Sequence, residues 1–265
     1  MRKHYSLKGF WDSPDYASSA LGNPPALTVV KTDVSVILWS LRFQTLRRFK
    51  NQRFWEEETR DSDYADRVEH MPRLESLADH SWHIADIVLL IAPHFVSLDM
   101  GRCVQMAVLH DKLELIMGDK NPLGRDGTGN KTHAFNELKR ADKDRLERAA
   151  FDDYVRKIGQ DTRIVQAPIF EELFEKKSQE ARFLLGIDKL QPLTYIIAKK
   201  QGKVDDDHLL FTLLYSRKAV TYFPPLFPYY KELTLRLLRG VSRNRRISLS
   251  ALKARLEDGQ MPLFT

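Results

Sequence analysis

The stretch VLHDKLELIMGDKNP, residues 108–122, places ionisable side chains in a pattern that is otherwise apolar enough to be buried. His110 and Asp111 are adjacent, Glu114 follows one helical turn later, and Asp119 comes directly after a glycine. A buried polar group without a partner costs roughly 2–7 kcal/mol, so a fold that contains this stretch must supply partners for these groups. A bound metal ion is the first candidate for such a partner.

Apolar residues recur at helical spacing along most of the chain, and we find no period-two alternation typical of a sheet. We predict an irregular N-terminal arm over residues 1–33, a basic amphipathic helix over 34–55 and a polar, exposed connection over 56–73. The other predicted helices span residues 79–97, 100–117, 132–158, 168–200, 205–220, 226–240 and 248–257. The predicted fold class is therefore all-α.

Local signals predict where some of these helices begin and end. Asp79 and Asp99 stand at plausible N-cap positions, and Gly118 is expected to end the helix that contains His110. Pro192 lies inside a helical pattern and is expected to kink or break the helix there.

The composition excludes several classes of protein. A chain of 265 residues with a single cysteine, Cys103, has no disulfide scaffold and cannot build a thiolate zinc site from its own residues. The longest apolar run, residues 87–96, is too short to span a bilayer, and the N-terminus shows no apolar signal-peptide region. These features predict a cytoplasmic protein that does not enter a membrane.

The net charge is +6, and the surplus is concentrated at residues 41–53 and 235–255. One interpretation is that these segments are solvated helix faces. The other is that they attract phosphate groups, of either a nucleotide or a nucleic acid. Composition leaves both open.

Two further segments place polar residues where apolar ones are expected. LESLADHSWH puts His80 near the start of one buried helix, and LLGIDKL puts Asp188 within another. Together with His110 and Asp111, they provide two imidazoles and two carboxylates from three helices. This mixed nitrogen and oxygen set predicts one divalent transition metal, Mn²⁺, Fe²⁺, Co²⁺, Ni²⁺ or Zn²⁺.

The blocks ADHS, LHDKLELIMGD and IDKL, in that order, resemble the H…HD…D signature of the HD-domain metal-dependent phosphohydrolases. More narrowly, they resemble the 5′-deoxynucleotidase group, which includes HD domain-containing protein 2. The resemblance covers roughly residues 72–200. It implies an HD-domain helical bundle with its core at residues 34–200, followed by a C-terminal helical extension over 201–265. It also implies four metal ligands: His80, His110, Asp111 and Asp188.

The same resemblance implies roles for other residues. Glu114 would be the catalytic carboxylate, and Asp119 would contact the nucleoside sugar or order the site. Arg53 and Trp55 would bind the phosphate and pack on the sugar or base, and Lys189 is a further candidate contact to the phosphate.

The assignment of the arginine stays open at this point. In RFKNQRFW, residues 48–55, a phenylalanine separates Arg53 from Trp55, and the acidic connection to His80 is longer than in the family. Arg67 and Arg73 are therefore alternatives for the contact to phosphate.

The resemblance implies an enzyme that removes phosphate from a nucleotide, with 2′-deoxynucleoside 5′-monophosphates as the favoured substrates. One alternative is an HD-type hydrolase of nucleoside triphosphates or guanosine alarmones. Another is an HD fold used as a nucleic-acid-binding module through its basic tail. The expected partner is a small nucleotide, and a homodimer is one expected assembly because compact relatives are often dimers.

Overall fold

The structure, a computed structural model, describes residues 27–49 and 74–257, and the regular elements in these ranges are helices. The α-helices are α1 (Leu27–Ser40), α2 (Leu77–Ile91), α3 (Met100–Leu109), α4 (Glu114–Met117), α5 (Glu137–Lys157), α6 (Gln160–Glu175), α7 (Gln179–Lys200), α8 (Asp206–Tyr222), α9 (Phe227–Arg245) and α10 (Leu249–Glu257). Short 3₁₀ turns cover Leu41–Gln44, Ala92–His94 and Pro224–Leu226. The all-α prediction is confirmed. None of the described helices is long and apolar enough to cross a bilayer.

The N-cap of helix α2 lies three residues before the predicted one. Ser76 is the N-cap: its side chain accepts a hydrogen bond from the backbone N–H of Asp79 at 3.1 Å. The Asp79 side chain accepts in return from the backbone N–H of Ser76 at 2.9 Å. This reciprocal pair is a capping box, so Asp79 belongs to the first turn and not to the cap. The predicted cap at Asp99 and the predicted end at Gly118, with φ of 73°, are both confirmed.

Two predicted helices are interrupted. After α3 the chain makes a tighter turn, in which the N–H of Lys112 donates to the carbonyl of Leu109 and the N–H of Glu114 to that of Asp111. The predicted helix 168–200 is two helices, because Lys176 adopts a left-handed conformation and Ser178 caps α7.

Helix α7 runs through Pro192, so the predicted break does not occur. A proline removes one helical hydrogen bond, which costs about 3 kcal/mol or more in a helix interior. The ring of Pro192 is buried between Gln191 and Leu193, which are also buried, so packing offsets this cost.

The N-terminal helix also differs from its prediction. It begins at Leu27, inside the predicted arm, and ends at Ser40. The 3₁₀ turn Leu41–Gln44 follows, and the chain then forms an antiparallel bridge between Arg47 and Ser76. Backbone hydrogen bonds from Arg48 to Glu75 and from Leu77 to Leu46 fix this segment against the start of α2.

Helix α7 is the centre of the bundle and packs against α2, α3, α8 and α9. Gly186 permits the close approach of its neighbours: a Cβ there would lie 2.5 Å from Leu226 Cδ1 and 3.2 Å from the carbonyl oxygen of Ala219. Because α7 contacts four other helices, a polar residue on it can meet side chains from several of them.

Candidate metal centre

Three helical segments bring two histidines and two aspartates together. His80 lies in the first turn of α2, His110 and Asp111 lie in the turn directly after α3, and Asp188 lies near the middle of α7. His80 is fully buried, and the other three are partly buried. We refer to these residues as the four-donor cluster.

The nitrogen and oxygen atoms of this cluster lie close to one another. His80 Nε2 is 3.3 Å from His110 Nε2, 3.4 Å from Asp111 Oδ2 and 3.3 Å from Asp188 Oδ1. His110 Nε2 is 3.2 Å from Asp111 Oδ2. Ligands about 2.1 Å from one ion are separated by about 3.0 Å in an octahedral and about 3.4 Å in a tetrahedral arrangement. Ligand atoms of His80, His110 and Asp188 all lie within 4.8 Å of one another, and Asp111 Oδ2 lies beside both histidines, so the spacing fits a single divalent ion.

The distal nitrogens of both histidines are hydrogen-bonded away from the cluster. His110 Nδ1 lies 2.8 Å from the carbonyl oxygen of Ala107, and His80 Nδ1 lies 2.9 Å from Gln191 Oε1. With the Ala107 carbonyl as the acceptor, Nδ1 of His110 carries the proton and its Nε2 presents a lone pair to the cluster. Metal-binding histidines are typically oriented in this way. Nδ1 of His80 lies between Gln191 Oε1 and the guanidinium of Arg48, so either group can pair with it.

The protonation states of the donors in the cluster also favour binding of a cation. Burial, followed by the positive charge of Arg48, lowers the pKa of His80 to about 4. Burial alone would raise the pKa values of Asp111 and Asp188, but His110 acting on Asp111 and Lys189 acting on Asp188 outweigh it and hold both well below the usual range. These three donors are unprotonated at neutral pH, as metal binding requires. The residues present therefore fit the implied metal.

His110 differs from the other donors. Burial disfavours its charged form, but the negative charges of Asp111 and Asp188 outweigh burial and raise its pKa. A cation among the same carboxylates would oppose this effect, because it would repel the proton.

Glu114 begins α4 and is buried beside the cluster. Its Oε2 atom is buried and, within the described part of the chain, has no hydrogen-bond partner. Burial and then the charges of Asp111 and Asp119 raise the pKa of Glu114 well above its usual value. Asp119, just after Gly118, also has a raised pKa, chiefly because of burial, which Arg48 opposes. These two predicted residues are thus electrostatically coupled to the cluster.

Arg48 is the residue of this site that the sequence analysis missed. Its guanidinium lies beside His80 Nδ1 and donates hydrogen bonds to Glu75 Oε2 at 3.0 Å and Gln191 Oε1 at 3.2 Å. Burial would lower its pKa, but the charges of Glu75, Asp111 and further carboxylates raise it. The available signal was the first residue of RFKNQRFW, in which Arg48 precedes an aromatic residue just as Arg53 does. The alternatives Arg53, Arg67 and Arg73, and also Trp55, lie outside the described residues.

Glu75 and Gln191 hold Arg48 and His80 in place. Gln191 is fully buried, and its Nε2 donates to Glu75 Oε1 at 2.5 Å. Burial raises the pKa of Glu75 to about 7, although Arg48 opposes this shift. This hydrogen-bond network thus fixes the positions of the His80 imidazole and the Arg48 guanidinium.

Lys189 follows Asp188 and forms an ion pair with it. Its Nζ donates to Asp188 Oδ2 at 2.6 Å and to the hydroxyl of Tyr215 at 3.1 Å. The predicted substrate contact is therefore positioned at the site, where it also neutralises a member of the cluster.

Two cavities flank the site, and Lys189 and Tyr215 line both. The first, the apolar cavity, is also lined by Arg48 and Asp119, and its apolar walls include Leu123 and Phe211. The second, the basic cavity, is lined largely by charged side chains. Its walls include three members of the cluster, His110, Asp111 and Asp188.

Helices that converge on two histidines and two aspartates define the class: a helical protein with a buried His/Asp donor cluster. Residues 57–223, more than half of the chain, match the family model described as HD domain. The chain therefore belongs to the HD domain family, as its motifs predicted.

Curated relatives and a solved structure are similar to this chain. The 5′-deoxynucleotidase HDDC2 of Homo sapiens is 27% identical over 142 residues, which are 52% of this chain and 63% of the relative. The Xenopus laevis protein of the same name is 26% identical over 137 residues, 50% of this chain and 61% of the relative. The chain thus spans less than two thirds of the length of these relatives. The crystal structure of a predicted metal-dependent phosphohydrolase from Magnetospirillum magnetotacticum MS-1 has a TM-score of 0.55 at 22% identity and covers 82% of this chain and 96% of its own. This likeness shows the fold.

Proposed function

We propose that the chain is a metal-dependent phosphohydrolase that removes phosphate from nucleotides, with 2′-deoxynucleoside 5′-monophosphates as its preferred substrates. The observation that carries this proposal is that His80 Nε2 lies 3.3–3.4 Å from donor atoms of His110, Asp111 and Asp188. Beside them lies Glu114, a buried carboxylate whose Oε2 has no hydrogen-bond partner among the described residues. The similarity to proteins named 5′-deoxynucleotidase supports the choice of substrate.

His80, His110, Asp111 and Asp188 would hold one divalent transition metal. When bound, such an ion polarises a phosphoryl oxygen and lowers the pKa of a water ligand. Phosphoryl transfer requires mainly positioning and charge neutralisation, and both are within reach of the side chains present.

The chain's own residues would perform the remaining steps. Arg48, fixed by Glu75 and Gln191, would neutralise the phosphate with charge-assisted hydrogen bonds. Glu114 Oε2 would exchange a proton with the attacking water or with the leaving 5′-oxygen. Asp119 would contact the sugar.

The apolar cavity suits the nucleoside. It lies against Arg48 and Asp119, and its wall on α8 carries Thr212, whose hydroxyl oxygen is buried and, among the described residues, without a partner. A nucleoside placed here would have apolar contacts for its base and polar groups within reach for its sugar.

The first prediction tests the cluster directly. The double variant His110→Ala/Asp111→Ala is expected to lose phosphate release from every nucleotide, because two of the four donors are gone. The measurement is phosphate released from mono-, di- and triphosphates with Mn²⁺, Co²⁺, Ni²⁺, Zn²⁺ or Mg²⁺ added to chelator-treated protein. Elemental analysis of the purified protein is expected to show one divalent ion in the unmodified chain and none in the variant.

A matched control is His94→Ala, since His94 is exposed and lies in the 3₁₀ turn after α2. It is expected to keep activity and metal content, and circular dichroism is expected to show helices in both variants. Full turnover by the folded double variant would place the active site elsewhere and refute the proposal.

The nucleic-acid alternative depends on the basic segment 235–255, which lies in α9 and α10. A salt series on a DNA or heparin column distinguishes it, because binding to phosphates weakens steeply with salt. The enzyme is favoured because the four-donor cluster is complete.

A further inference from the structure

The basic cavity is lined by five cationic side chains from four helical segments. They are Arg140 and Lys143 of α5, Lys176 at the end of α6, Lys189 of α7 and Lys218 of α8. Arg140, Lys143 and Lys218 have no role in the hydrolysis proposed above.

Three of these cations are neutralised by carboxylates. Lys143 pairs with Glu147, Lys176 Nζ lies 3.1 Å from Asp144 Oδ1, and Lys189 pairs with Asp188. These pairs need no further anion.

Arg140 and Lys218 have no such partner. Arg140 donates to the carbonyl oxygens of His133 and Ala134, both at 3.4 Å, and Lys218 donates to the carbonyl oxygen of Ala134. Between residues 74 and 257, no carboxylate lies within ion-pair distance of either cation. Two positive charges from different helices therefore converge on one loop carbonyl without a negative charge beside them.

The ionisation of neighbouring groups agrees with an excess of positive charge. Burial, and then the cations of Arg140 and Lys189, lower the pKa of Lys218 to about 8. Burial, and then Lys143, Lys189 and Lys218, lower the pKa of His133 to about 3. A cavity with this charge favours an anion.

The basic cavity lies directly beside the candidate metal centre. His110, Asp111 and Asp188 form part of its wall, so it opens directly onto the four-donor cluster. The apolar cavity also borders this region, beyond Lys189 and Tyr215. A nucleotide with its base in the apolar cavity and one phosphate at the cluster would therefore direct any additional phosphate towards Arg140 and Lys218.

We propose that the basic cavity is a second anion site, in which Arg140 and Lys218 bind a phosphate group other than the one held at the four-donor cluster. This inference rests on the proposed function for the position of the first phosphate. The second phosphate has two sources: another phosphate of the same nucleotide, or inorganic phosphate after its release. Both present the oxygens that a guanidinium and an ammonium bind with charge-assisted hydrogen bonds.

The test uses the full chain and two single variants, Arg140→Gln and Lys218→Gln. Inorganic phosphate and pyrophosphate are titrated into each protein by calorimetry, and the KM values for a nucleoside mono- and diphosphate are measured with the activating metal. Each variant is expected to bind pyrophosphate about tenfold more weakly, the effect of losing one charge-assisted hydrogen bond. Its KM for the diphosphate is expected to rise by a similar factor, with little change for the monophosphate.

Arg217→Gln is the matched control. Arg217 is the exposed neighbour of Lys218 and stacks on Phe227 and Tyr230, so its loss removes the same charge from α8 outside the cavity. It is expected to bind both anions normally. Lys218→Arg keeps the charge and is expected to retain binding, which separates an anion contact from a purely structural role.

The outcomes distinguish the two sources. Weaker binding of pyrophosphate with a raised KM for the diphosphate assigns the site to a linked phosphate. Weaker binding of inorganic phosphate and relief of product inhibition, with both KM values unchanged, assign it to the released product. Unchanged binding of both anions in both variants refutes the second anion site, whether or not nucleotides are hydrolysed. If the variants lose anion binding but the unmodified chain hydrolyses no nucleotide, the anion site stands and the proposed function fails.

Discussion

A buried carboxylate oxygen without a hydrogen-bond partner is costly to keep, and Glu114 has such an oxygen within residues 27–49 and 74–257. Asp111 and Asp119, which repel its charge, add to the cost. Residues that weaken a fold in this way are typical of functional sites, because their electrostatic properties serve the reaction.

We therefore predict that Glu114→Gln lowers kcat by about 10²–10⁴-fold, the usual contribution of a positioned proton-transfer group. The amide fills the same space, so KM and metal content are expected to change little. The free energy of unfolding is expected to stay equal or rise, since repulsion by Asp111 and Asp119 is removed. The measurements are steady-state kinetics, elemental analysis and urea unfolding. A kcat within twofold of the unmodified enzyme would exclude Glu114 from the reaction.

At the scale of single residues, the sequence was informative where ionisable side chains occur in helices that are otherwise apolar. His80, His110, Asp111 and Asp188 could be predicted to converge because polar groups in apolar helices need partners. Arg48 could not be singled out, because its position depends on a backbone bridge between segments 29 residues apart, Arg47 and Ser76. Spacing along the chain does not reveal such a contact.

The start of α2 determines where His80 lies. The N–H of His80 donates to the carbonyl of Ser76 at 3.0 Å, and the Ser76 side chain caps the same turn. The first turn of α2, which carries His80, is thus held in place by its N-cap, Ser76.

We predict that Ser76→Ala lowers the free energy of unfolding by about 1 kcal/mol, because the backbone N–H of Asp79 loses its acceptor. Urea unfolding measures this change. The control is Ser35→Ala, since Ser35 is exposed on α1 and its hydroxyl donates only to the carbonyl of Lys31. Its effect is expected to be within about 0.5 kcal/mol. Equal stability of Ser76→Ala and the unmodified chain would show that the capping box contributes nothing.

Helix boundaries were predicted less well than helices. Ser76 and Asp79 are both good capping residues. The sequence does not tell which of them is the N-cap and which, at the third helical position, accepts a hydrogen bond from the backbone of the cap residue. Pro192 was expected to disturb its helix, and only the tertiary packing that buries its ring explains the continuous α7.

We expect the bundle as a whole to lose stability in acid, because it buries uncharged histidines. His208, on α8, is only 4% exposed, and burial followed by the positive charge of Lys200 lowers its pKa to about 3. A group whose pKa is lower in the folded chain than in the unfolded one stabilises the fold above its unfolded pKa of about 6.5. That stability is lost as the pH falls from about 6.5 towards 3.

We predict that His208→Gln removes part of this acid sensitivity. Between pH 7.5 and 5.0 the unmodified chain should lose about 2 kcal/mol more of its free energy of unfolding than the variant, because glutamine takes up no proton. Urea unfolding of chelator-treated protein at both pH values measures the difference. His94→Gln, at an exposed position, should retain the full loss. Parallel pH dependence of the unmodified chain and His208→Gln would refute the assignment.

The fold class and the family of the whole molecule were predicted correctly from helical periodicity and three motif blocks. The domain boundaries at residues 33 and 200, the homodimer and the cytoplasmic location stay predictions. The family match continues to residue 223 and so includes α8, whose contact with α7 makes it a wall of both cavities.

The bridge between Arg47 and Ser76 has a practical consequence for truncated forms of this protein. The family match starts at residue 57, so a fragment cut to those limits would keep the four-donor cluster but lack the guanidinium beside His80. Glu75 and Gln191 would then face each other with no cation between them. Under the proposed function, such a fragment would bind the metal and yet bind phosphate poorly, so its inactivity would not refute the activity proposed for the longer chain.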